Sequence, residues 1–440
     1  MLAVHVSSLA AVSIDELFSS KEYLSEISTQ NIPPKIAEIK HFLCSKLISN
    51  TIQWIPNLRV RSKLCVFLGG KVDDSAYKPI PEKVVHFSRN DVKFRFVELF
   101  AGIGGFRVAL DALGGQCVFA SEINDAARKT YIANFGKEVS VDNKNERRPV
   151  LVGDITEIEA AEIPDHDILT AGFPCQSFCK VGDLTALNGI RGELFFDIIR
   201  ILKTKKPKSF ILENVENLVT MESGSVFSRI SESLTRNAGY YIHHAVIDAV
   251  SYTPQTRARV YIVGFLLAAD SARFEFPVPP TARPILRSIL DSTSSSSLIL
   301  NLRQMEKLQA SYTFGKNPMW RIADVNGAAR TLMGSYKSGF SMYSEFVRIS
   351  ASIDGTEERK PKRVKGREDD GVINSNDKNE DEEFVLRFYS VRECAKIMGF
   401  PDSYRFDGKA PGVFYHQLGN AVVPPVIENI GKQVLKALKI

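Results

Sequence analysis

The sequence predicts an α/β protein built on an open parallel sheet. Between residues 92 and 265, short apolar runs alternate with longer helical stretches, which is the pattern of βαβ units. A glycine-rich turn joins the first run to the first helix, and polar or reactive residues follow the ends of successive runs. Open parallel sheets bind their ligands at that edge.

Composition limits the class of protein. The chain has 440 residues, a net charge of +5 and 44% hydrophobic residues, values that permit a local nucleic-acid surface without requiring one. No apolar run is long enough to cross a membrane, so no membrane partner is expected. The six cysteines are scattered, which indicates a reducing compartment rather than a disulfide framework. Cys175 and Cys179 lack the CxxC spacing and a second ligand pair, so no metal site is expected.

Three regions are predicted along the chain. Residues 1–91 carry helical periodicity without a recognisable chemical motif, and form an N-terminal helical extension of unknown role. Residues 92–265 together with 411–440 form the sheet domain, and residues 266–410 form a smaller, irregular domain. Within the latter, the basic cluster 359–367 and the acidic stretch after it predict an exposed loop.

The first three runs carry features of a nucleoside site. "KFRFVELF" leads into a turn with Gly102 and Gly104, "CVFASE" ends at Glu122, and "VLVGDI" contains Asp154. An acid twenty residues beyond Gly102 can accept hydrogen bonds from both ribose hydroxyls. Asp154 is either a helix N-cap or an acceptor for an adenine amino group. No Walker-type lysine follows the turn, so a nucleoside cofactor is favoured over ATP.

The next runs supply candidate catalytic groups. "DILTAGF" is followed by Cys175, and "SFILENV" carries Glu213. A thiolate is a nucleophile, and a carboxyl group of raised pKa can protonate a ring nitrogen. Arg257 and Arg259 are two residues apart, which places both on one face of a strand. Cys175 alone is more simply a small buried side chain, but beside these groups catalysis is favoured.

Seven motifs occur in the order typical of DNA (cytosine-5) methyltransferases of the compact, bacterial type. They are "FVELFAGIGGF", "GFPCQSF", "RGELFFDIIRIL", "ENVENL", "QTRARVYIVGF", "RECAKIMGFPD" and "QLGNAVVPP". The chain resembles this family closely over residues 95–265 and 385–440, loosely between them, and not over its first 91 residues. The resemblance implies a Rossmann-like S-adenosylmethionine-dependent methyltransferase sheet with a smaller, irregular target-recognition domain.

The resemblance also implies roles for the matched residues. Cys175 would attack C6 of a flipped cytosine, and Glu213 would contact N3 and protonate the ring. Arg257 and Arg259 would stabilise the covalent adduct while C5 receives a methyl group from S-adenosylmethionine. The implied cofactor-binding residues are Phe100, Gly102, Gly104, Glu122, Asp154, Ile155, Asn420 and Val422. The implied substrate-binding residues are Gln176, Ser177, Gln255, Thr331 and Leu332.

The resemblance implies double-stranded DNA as the partner, and residues 1–91 could contact protein partners. Two alternatives stay open: an RNA (tRNA) cytosine-5 methyltransferase, and a catalytically inactive DNA-binding relative. Members of the transfer-RNA branch usually carry two prolines before the cysteine, whereas Phe173 and Pro174 precede it here, and an inactive relative would have lost a motif. The unmatched N-terminal segment and the cluster 359–367, which resembles a nuclear import signal, favour a eukaryotic nucleus over a bacterial cytoplasm.

Overall fold

The computed structural model describes nine stretches of the chain, all within the unit Pro81–Ile440. They are residues 82–86, 92–141, 147–174, 193–291, 296–317, 321–338, 344–350, 384–406 and 411–440. The helices predicted before residue 80 and the loop predicted at 359–367 lie outside these residues. Within the predicted helical extension, the described segment is a strand, Glu82–His86.

The described residues contain twelve strands. They are β1 (Glu82–His86), β2 (Phe94–Leu99), β3 (Gly115–Ser121), β4 (Lys137–Val141), β5 (Arg147–Pro149), β6 (Leu151–Val152), β7 (Ile168–Gly172), β8 (Ser209–Val215), β9 (Tyr241–Asp248), β10 (Ala258–Phe265), β11 (Val347–Ser350) and β12 (Phe384–Arg387). Seven of them form the central sheet in the order β6-β3-β2-β7-β8-β10-β9. The first five are parallel, and β10 is antiparallel to β8 and β9. The predicted α/β class is confirmed, and the predicted parallel sheet is observed for the first five strands, with β10 and β9 added in antiparallel pairing at one edge.

Helices connect and cover these strands. They are α1 (Gly105–Ala112), α2 (Asp125–Phe135), α3 (Glu193–Lys205), α4 (Ser225–Glu232), α5 (Ala268–Ser271), α6 (Leu302–Gln309), α7 (Tyr312–Lys316), α8 (Val391–Ile397), α9 (Pro411–Asn420) and α10 (Pro424–Leu438). Of the helices in the described stretches, none has the length and apolar character required to cross a membrane.

The local sequence explains these elements. Strands β2, β7 and β8 are almost wholly buried, and their near-continuous apolar runs are those of strands covered on both faces. Helix α1 buries Phe106, Ala109 and Leu110, whose spacing of three and one puts them on one face. Asn124 caps α2 by accepting a hydrogen bond from the Ala127 N–H at 3.0 Å. Strands β2, β7 and β8 and helix α1 therefore present apolar side chains to the core.

Apolar layers cover both faces of the sheet. One layer packs α3 and α4 residues, such as Ile198 and Ile230, against Leu169 and Leu212. The other layer includes α1 and α10 and continues into the predicted recognition region. That one hydrophobic cluster holds residues from both sides of the predicted boundary at 265/266, so the boundary stays a prediction.

A buried ion pair organises part of the recognition region. The Arg387 guanidinium donates to both carboxylate oxygens of Glu393, at 2.8 Å each, and both side chains are buried. Glu393 also accepts hydrogen bonds from the N–H groups of Ser390 and Asp291. Buried charges persist where such partners satisfy them. This pair joins β12, the start of α8 and the segment that contains Asp291.

Replacing Gly264 by Ala is expected to lower the free energy of unfolding by about 1–3 kcal/mol. Gly264 on β10 lies opposite Phe210 on β8, and a Cβ atom there would overlap the buried Phe210 ring. Urea unfolding followed by circular dichroism measures the change. The matched control is Gly412→Ala in α9, where a Cβ would meet no atom within 4 Å. Equal stability of the two variants would contradict the packing described here.

Candidate functional site

The glycine-rich turn between β2 and α1 has an unusual backbone. Phe100, Gly102 and Gly104 have φ angles of 54°, 55° and 83°, in the left-handed region that costs a residue with a side chain about 1–2 kcal/mol. A Cβ at Gly104 would overlap the Phe135 ring. Gly104 is the N-cap of α1 and supplies no side-chain cap. In the first helical turn, the Arg107 N–H donates to Glu98, while the Gly105 and Phe106 N–H groups have no acceptor within the helix. The turn therefore offers backbone donors rather than side chains.

Glu122 is the acidic group beside this turn. One carboxylate oxygen accepts the Gly102 N–H at 2.8 Å, and the other accepts the Asn124 N–H at 2.7 Å. The carboxylate is thereby fixed at the end of β3 and faces the turn. Each oxygen can accept more than one hydrogen bond, so the group can still bind two neighbouring hydroxyls.

Asp154 follows β6 at the same edge of the sheet. Its Oδ1 accepts hydrogen bonds from the Thr156 N–H and hydroxyl, both at 2.9 Å. The N-cap alternative from the sequence is therefore observed, and a contact with an adenine amino group stays a prediction. The next residue, Ile155, is buried in the apolar layer beneath the edge.

Strand β7 leads to the predicted nucleophile. Cys175, Gln176 and Ser177 lie outside the described residues, and the described chain reaches Pro174. The buried Asn214 side chain donates to the Phe173 carbonyl at 2.9 Å. Strand β8 thus fixes the backbone two residues before Cys175.

Glu213 and Arg259 form the central ion pair of the site. The Arg259 Nε lies 3.3 Å from a Glu213 carboxylate oxygen, and their side chains are only 15% and 12% exposed. Tyr261 is directly opposite Glu213 in the register of β8 and β10, so Arg259 is its diagonal neighbour on the same face. Burial raises the pKa of Glu213, while Arg259 and then Arg257 lower it. A carboxyl group in this environment is suited to donate a proton.

Arg257 has a different environment from Arg259, although the sequence predicts one face for both. It lies just before β10, which begins at Ala258. Its guanidinium is buried and donates to three backbone carbonyls, those of Leu332, Gly419 and Ala421, each at 3.0 Å. Burial, followed by Arg259, lowers its pKa to about 10, so it stays charged at neutral pH. These contacts join distant segments of the chain, and its predicted role at the adduct has no support in them.

Gln255, a predicted substrate-binding residue, has a structural environment. It is 0% exposed, its Oε1 accepts the Leu332 N–H at 2.8 Å, and its Nε2 donates to the Ile397 carbonyl at 3.3 Å. A side chain that is fully covered and bonded at both ends cannot reach a substrate in this conformation. The predicted contact of Gln255 with substrate stays a prediction, and the observed partners of its amide are protein groups.

Thr331 and Leu332 lie on the other side of the same contact. The Thr331 hydroxyl donates to the Thr256 carbonyl at 2.6 Å, and Leu332 is buried. Thr331 is partly exposed, so it can meet a ligand, whereas the Leu332 backbone is held by protein on both its N–H and its carbonyl. Their roles toward substrate stay predictions.

The tail motif brings Asn420 and Val422 to this region. A Cβ at Gly105 would lie 2.6 Å from a Val422 methyl group, and one at Gly172 would lie 3.5 Å from the other. Val422 therefore packs between the glycine-rich turn and the end of β7. The same Gly172 position is 3.6 Å from a Glu213 carboxylate oxygen. The turn, the tail and the acidic residue thus meet in one place.

A buried polar cluster beneath the turn was not predicted. Glu98, inside the first motif, accepts hydrogen bonds from the Tyr131 hydroxyl at 3.3 Å and the Arg107 N–H at 3.4 Å. Arg107 pairs with Glu138 at 2.7 Å. Burial raises the pKa of Glu98 to about 8, against the opposing effect of Arg107. An acidic residue within an apolar strand, followed nine positions later by an arginine, was the signal available in the sequence.

Comparison with known proteins identifies the family. The family model described as "C-5 cytosine-specific DNA methylase" matches residues 94–436. This chain belongs to the C-5 cytosine-specific DNA methylases. The match includes every described residue of the edge just analysed, from Gly102 to Val422.

Relatives within this methylase family are similar over most of their length. The Type II methyltransferase M.MspI of Moraxella sp is 35% identical over 351 residues, which cover 79% of this chain and 71% of the relative. M.HpaII of Haemophilus parainfluenzae is 33% identical, with coverage of 79% and 90%. M.HhaI of Haemophilus parahaemolyticus is 30% identical, with coverage of 78% and 95%. The chain is thus a C5 cytosine DNA methyltransferase by family.

Solved structures share the methylase fold. The S. pombe Dnmt2 methyltransferase has a TM-score of 0.55 and 19% identity, and covers 79% of this chain and 100% of its own. The Entamoeba histolytica methyltransferase EhMeth has a TM-score of 0.57 and 19% identity, with coverage of 79% and 99%. At this identity the likeness concerns the fold.

Replacing Glu213 by Gln is expected to stabilise the protein more at high pH than at low pH. The folded-state pKa of Glu213 is above its ordinary value of 4.5, so the wild-type protein loses stability as the pH rises through that pKa. Glutamine does not titrate, so the difference in unfolding free energy should grow from about pH 4.5 upward. Urea unfolding between pH 4 and pH 9 measures it.

The control for this experiment is Glu216→Gln, because Glu216 belongs to the same motif but is exposed. The difference in unfolding free energy between Glu216→Gln and the wild-type protein should change little with pH. A Glu213→Gln difference that shrinks as the pH rises would mean that Arg259 outweighs burial at Glu213.

Proposed function

We propose that the protein methylates C5 of a cytosine flipped out of double-stranded DNA, by way of a transient bond between the Cys175 sulfur and C6. The observation that supports this most is the buried Glu213–Arg259 pair, which lies next to the end of the strand that leads to Cys175. An acid of raised pKa beside a cation suits a reaction that protonates a ring. The family, whose model names DNA and cytosine C-5, supports the same substrate.

The turn and its neighbours fit S-adenosylmethionine. The Glu122 carboxylate, fixed by two backbone N–H groups, would accept hydrogen bonds from the two ribose hydroxyls. Phe100, Gly102 and Gly104 would line the pocket, with Asp154 and Ile155 toward the adenine. Asn420 and Val422 would close the site. When bound, the cofactor supplies an electrophilic methyl group.

Three residues of the chain, Cys175, Glu213 and Arg259, would act on the cytosine base. Cytosine C5 is a poor nucleophile, and addition of the Cys175 thiolate to C6 divides one difficult step into easier ones. Glu213 would give its proton to N3 as the S–C6 bond forms, and Arg259 would bind the O2 atom. This addition makes C5 electron-rich and able to accept the methyl group. The C5 proton would then pass to a solvent water and the S–C6 bond would break, with its electron pair returning to sulfur as thiolate. Return of the N3 proton to Glu213 would complete the restoration of the aromatic ring.

DNA is the proposed polymer. The target carbon is inside the duplex stack, and extruding a base costs a few kcal/mol. Part of that cost would be offset by contacts to Gln176, Ser177 and Thr331. The recognised sequence depends on side chains that read base edges in the grooves, which the motifs shared by the family do not specify.

Incubation with radiolabelled S-adenosylmethionine tests the function. Duplex DNA should be labelled. The Cys175→Ser variant should not label it, because a serine hydroxyl is a far weaker nucleophile than a cysteine thiolate at neutral pH. The Cys175→Ser variant should bind the cofactor as the wild-type protein does, which calorimetry measures. Duplex DNA containing 5-fluorocytosine should trap a protein–DNA adduct through Cys175, since fluorine at C5 cannot leave as a proton does.

The two alternatives give other results in the same assay. Labelling of RNA but not of DNA would establish the RNA enzyme, and labelling of neither by folded protein would establish the inactive relative. Bisulfite sequencing of DNA from a host that expresses the chain reports both activity and target sequence.

Replacing Glu122 by Gln is expected to raise the dissociation constant for S-adenosylmethionine about 10–100-fold, the range of one or two charge-assisted hydrogen bonds. The amide has one acceptor oxygen where the carboxylate has two, so it cannot serve both backbone N–H groups and the ribose. Calorimetry measures the affinity. The control, Glu157→Gln, changes an exposed acid shortly after Asp154 and should leave the affinity unchanged. A similar loss in both variants would contradict a ribose contact at Glu122.

A further inference from the structure

A short segment of the recognition region, residues 329–334, lies between two elements of the sheet domain. On one side, the Ala329 N–H donates to the Pro254 carbonyl at 2.9 Å and the Thr256 N–H donates to the Ala329 carbonyl at 2.8 Å. On the other side, a Cβ at Gly419 would overlap the backbone of this segment. The segment is thus held against the approach to β10 and against the end of α9 at the same time.

Arg257 joins all three elements. It belongs to the approach to β10, and its guanidinium donates to Leu332 in the segment and to Gly419 and Ala421 in the tail motif. The planar guanidinium presents several N–H donors in a fixed geometry, whereas an ammonium group is a single point charge. Because the arginine is buried and these carbonyls are far apart in the sequence, its bonds fix the relative position of the segment and the tail.

The contacts continue from the tail to the predicted cofactor residues. In the tail motif, Asn420 lies between Gly419 and Ala421, whose carbonyls accept hydrogen bonds from Arg257. A Cβ at Gly334 would lie 2.9 Å from the Oδ1 atom of Asn420. Val422, two positions after Asn420, packs against Gly105 of the glycine-rich turn. A movement of the segment would therefore shift the predicted cofactor residues Asn420 and Val422, because Arg257 links the segment to the tail backbone on either side of Asn420.

We propose that Arg257 is a positioning residue that couples DNA binding at residues 329–334 to cofactor binding at the tail and the glycine-rich turn. DNA that orders or shifts the segment would set the position of Asn420 and Val422 through the three carbonyl bonds. Coupling of this kind is reciprocal, so the cofactor would strengthen DNA binding by the same factor. The proposal rests on the proposed function, and it replaces the role at the adduct that the sequence suggested for Arg257.

The experiment compares the wild-type protein with Arg257→Lys. Calorimetry measures the affinity for S-adenosylhomocysteine with and without a duplex that the wild-type protein methylates. In the wild-type protein the duplex should raise this affinity at least about 5-fold, the lower end of allosteric coupling. In Arg257→Lys the effect of the duplex should fall below about 2-fold, because the single ammonium nitrogen does not reproduce the fixed geometry in which two guanidinium nitrogens bind the three carbonyls. The variant should still form the 5-fluorocytosine adduct at saturating concentrations.

Arg273→Lys is the matched control. Arg273 Nε also donates to a backbone carbonyl of the C-terminal helix, that of Ala437 at 2.8 Å, but away from the segment and the turn. Its coupling should equal that of the wild-type protein. Loss of coupling in both lysine variants would mean a general loss of stability and would overturn the proposal.

The remaining outcomes separate the coupling proposal from the proposed function. A wild-type protein that methylates DNA but shows no coupling overturns the proposal and leaves the proposed function intact. Unchanged coupling in Arg257→Lys, with turnover at least about 100-fold slower, would return Arg257 to the reacting base. A wild-type protein that does not methylate DNA contradicts the proposed function itself. If Arg257→Lys does not fold, the Gly334→Ala variant replaces it, because the new Cβ would push against the Asn420 side chain. Unchanged coupling in Gly334→Ala would then overturn the proposal.

Discussion

A carboxyl group that leaves water must give up its charge or keep a cation beside it, and this constraint governs the site. Glu213 is nearly covered and has Arg259 as its diagonal neighbour, so burial and the cation act on its pKa in opposite directions. The antiparallel pairing of β8 and β10 creates this arrangement, because it brings the two side chains to one face. The glycine-rich turn and the tail motif form one site with Glu213 because they pack close to that carboxyl group.

Sheet topology brings them there. Parallel strands β6, β3, β2 and β7 end on the edge where the glycine-rich turn, Glu122, Asp154 and the approach to Cys175 are found. The tail motif closes the arrangement from the far end of the chain, since Val422 packs against both Gly105 and Gly172. The backbone of the glycine-rich turn and the Glu213 carboxyl group are thus close to each other, as the proposed methyl transfer requires.

Local patterns in the sequence were sufficient to predict the sheet and the position of Glu122 beside the glycine-rich turn, because strand periodicity and a fixed spacing act within one βαβ unit. They were not sufficient to predict the buried contacts of Arg257 and Gln255. A spacing of two describes a strand, but Arg257 lies before β10 and its partners come from positions 332, 419 and 421. Tertiary neighbours of that kind leave no local pattern. Glu98 differs, because an acid within an apolar run is a local signal, but its burial and raised pKa depend on packing of α1 and α2.

The hydrogen bond from Asn214 to the Phe173 carbonyl has a consequence for how the site can change over evolutionary time. Asn214 is the immediate neighbour of Glu213, and Phe173 lies two positions before Cys175 in the sequence. A substitution elsewhere in the scaffold that tilts β7 or β8 is therefore expected to move the Phe173 backbone and the Glu213 backbone together. The end of β7 and the acidic residue of β8 would keep their relation while the rest of the sequence diverges.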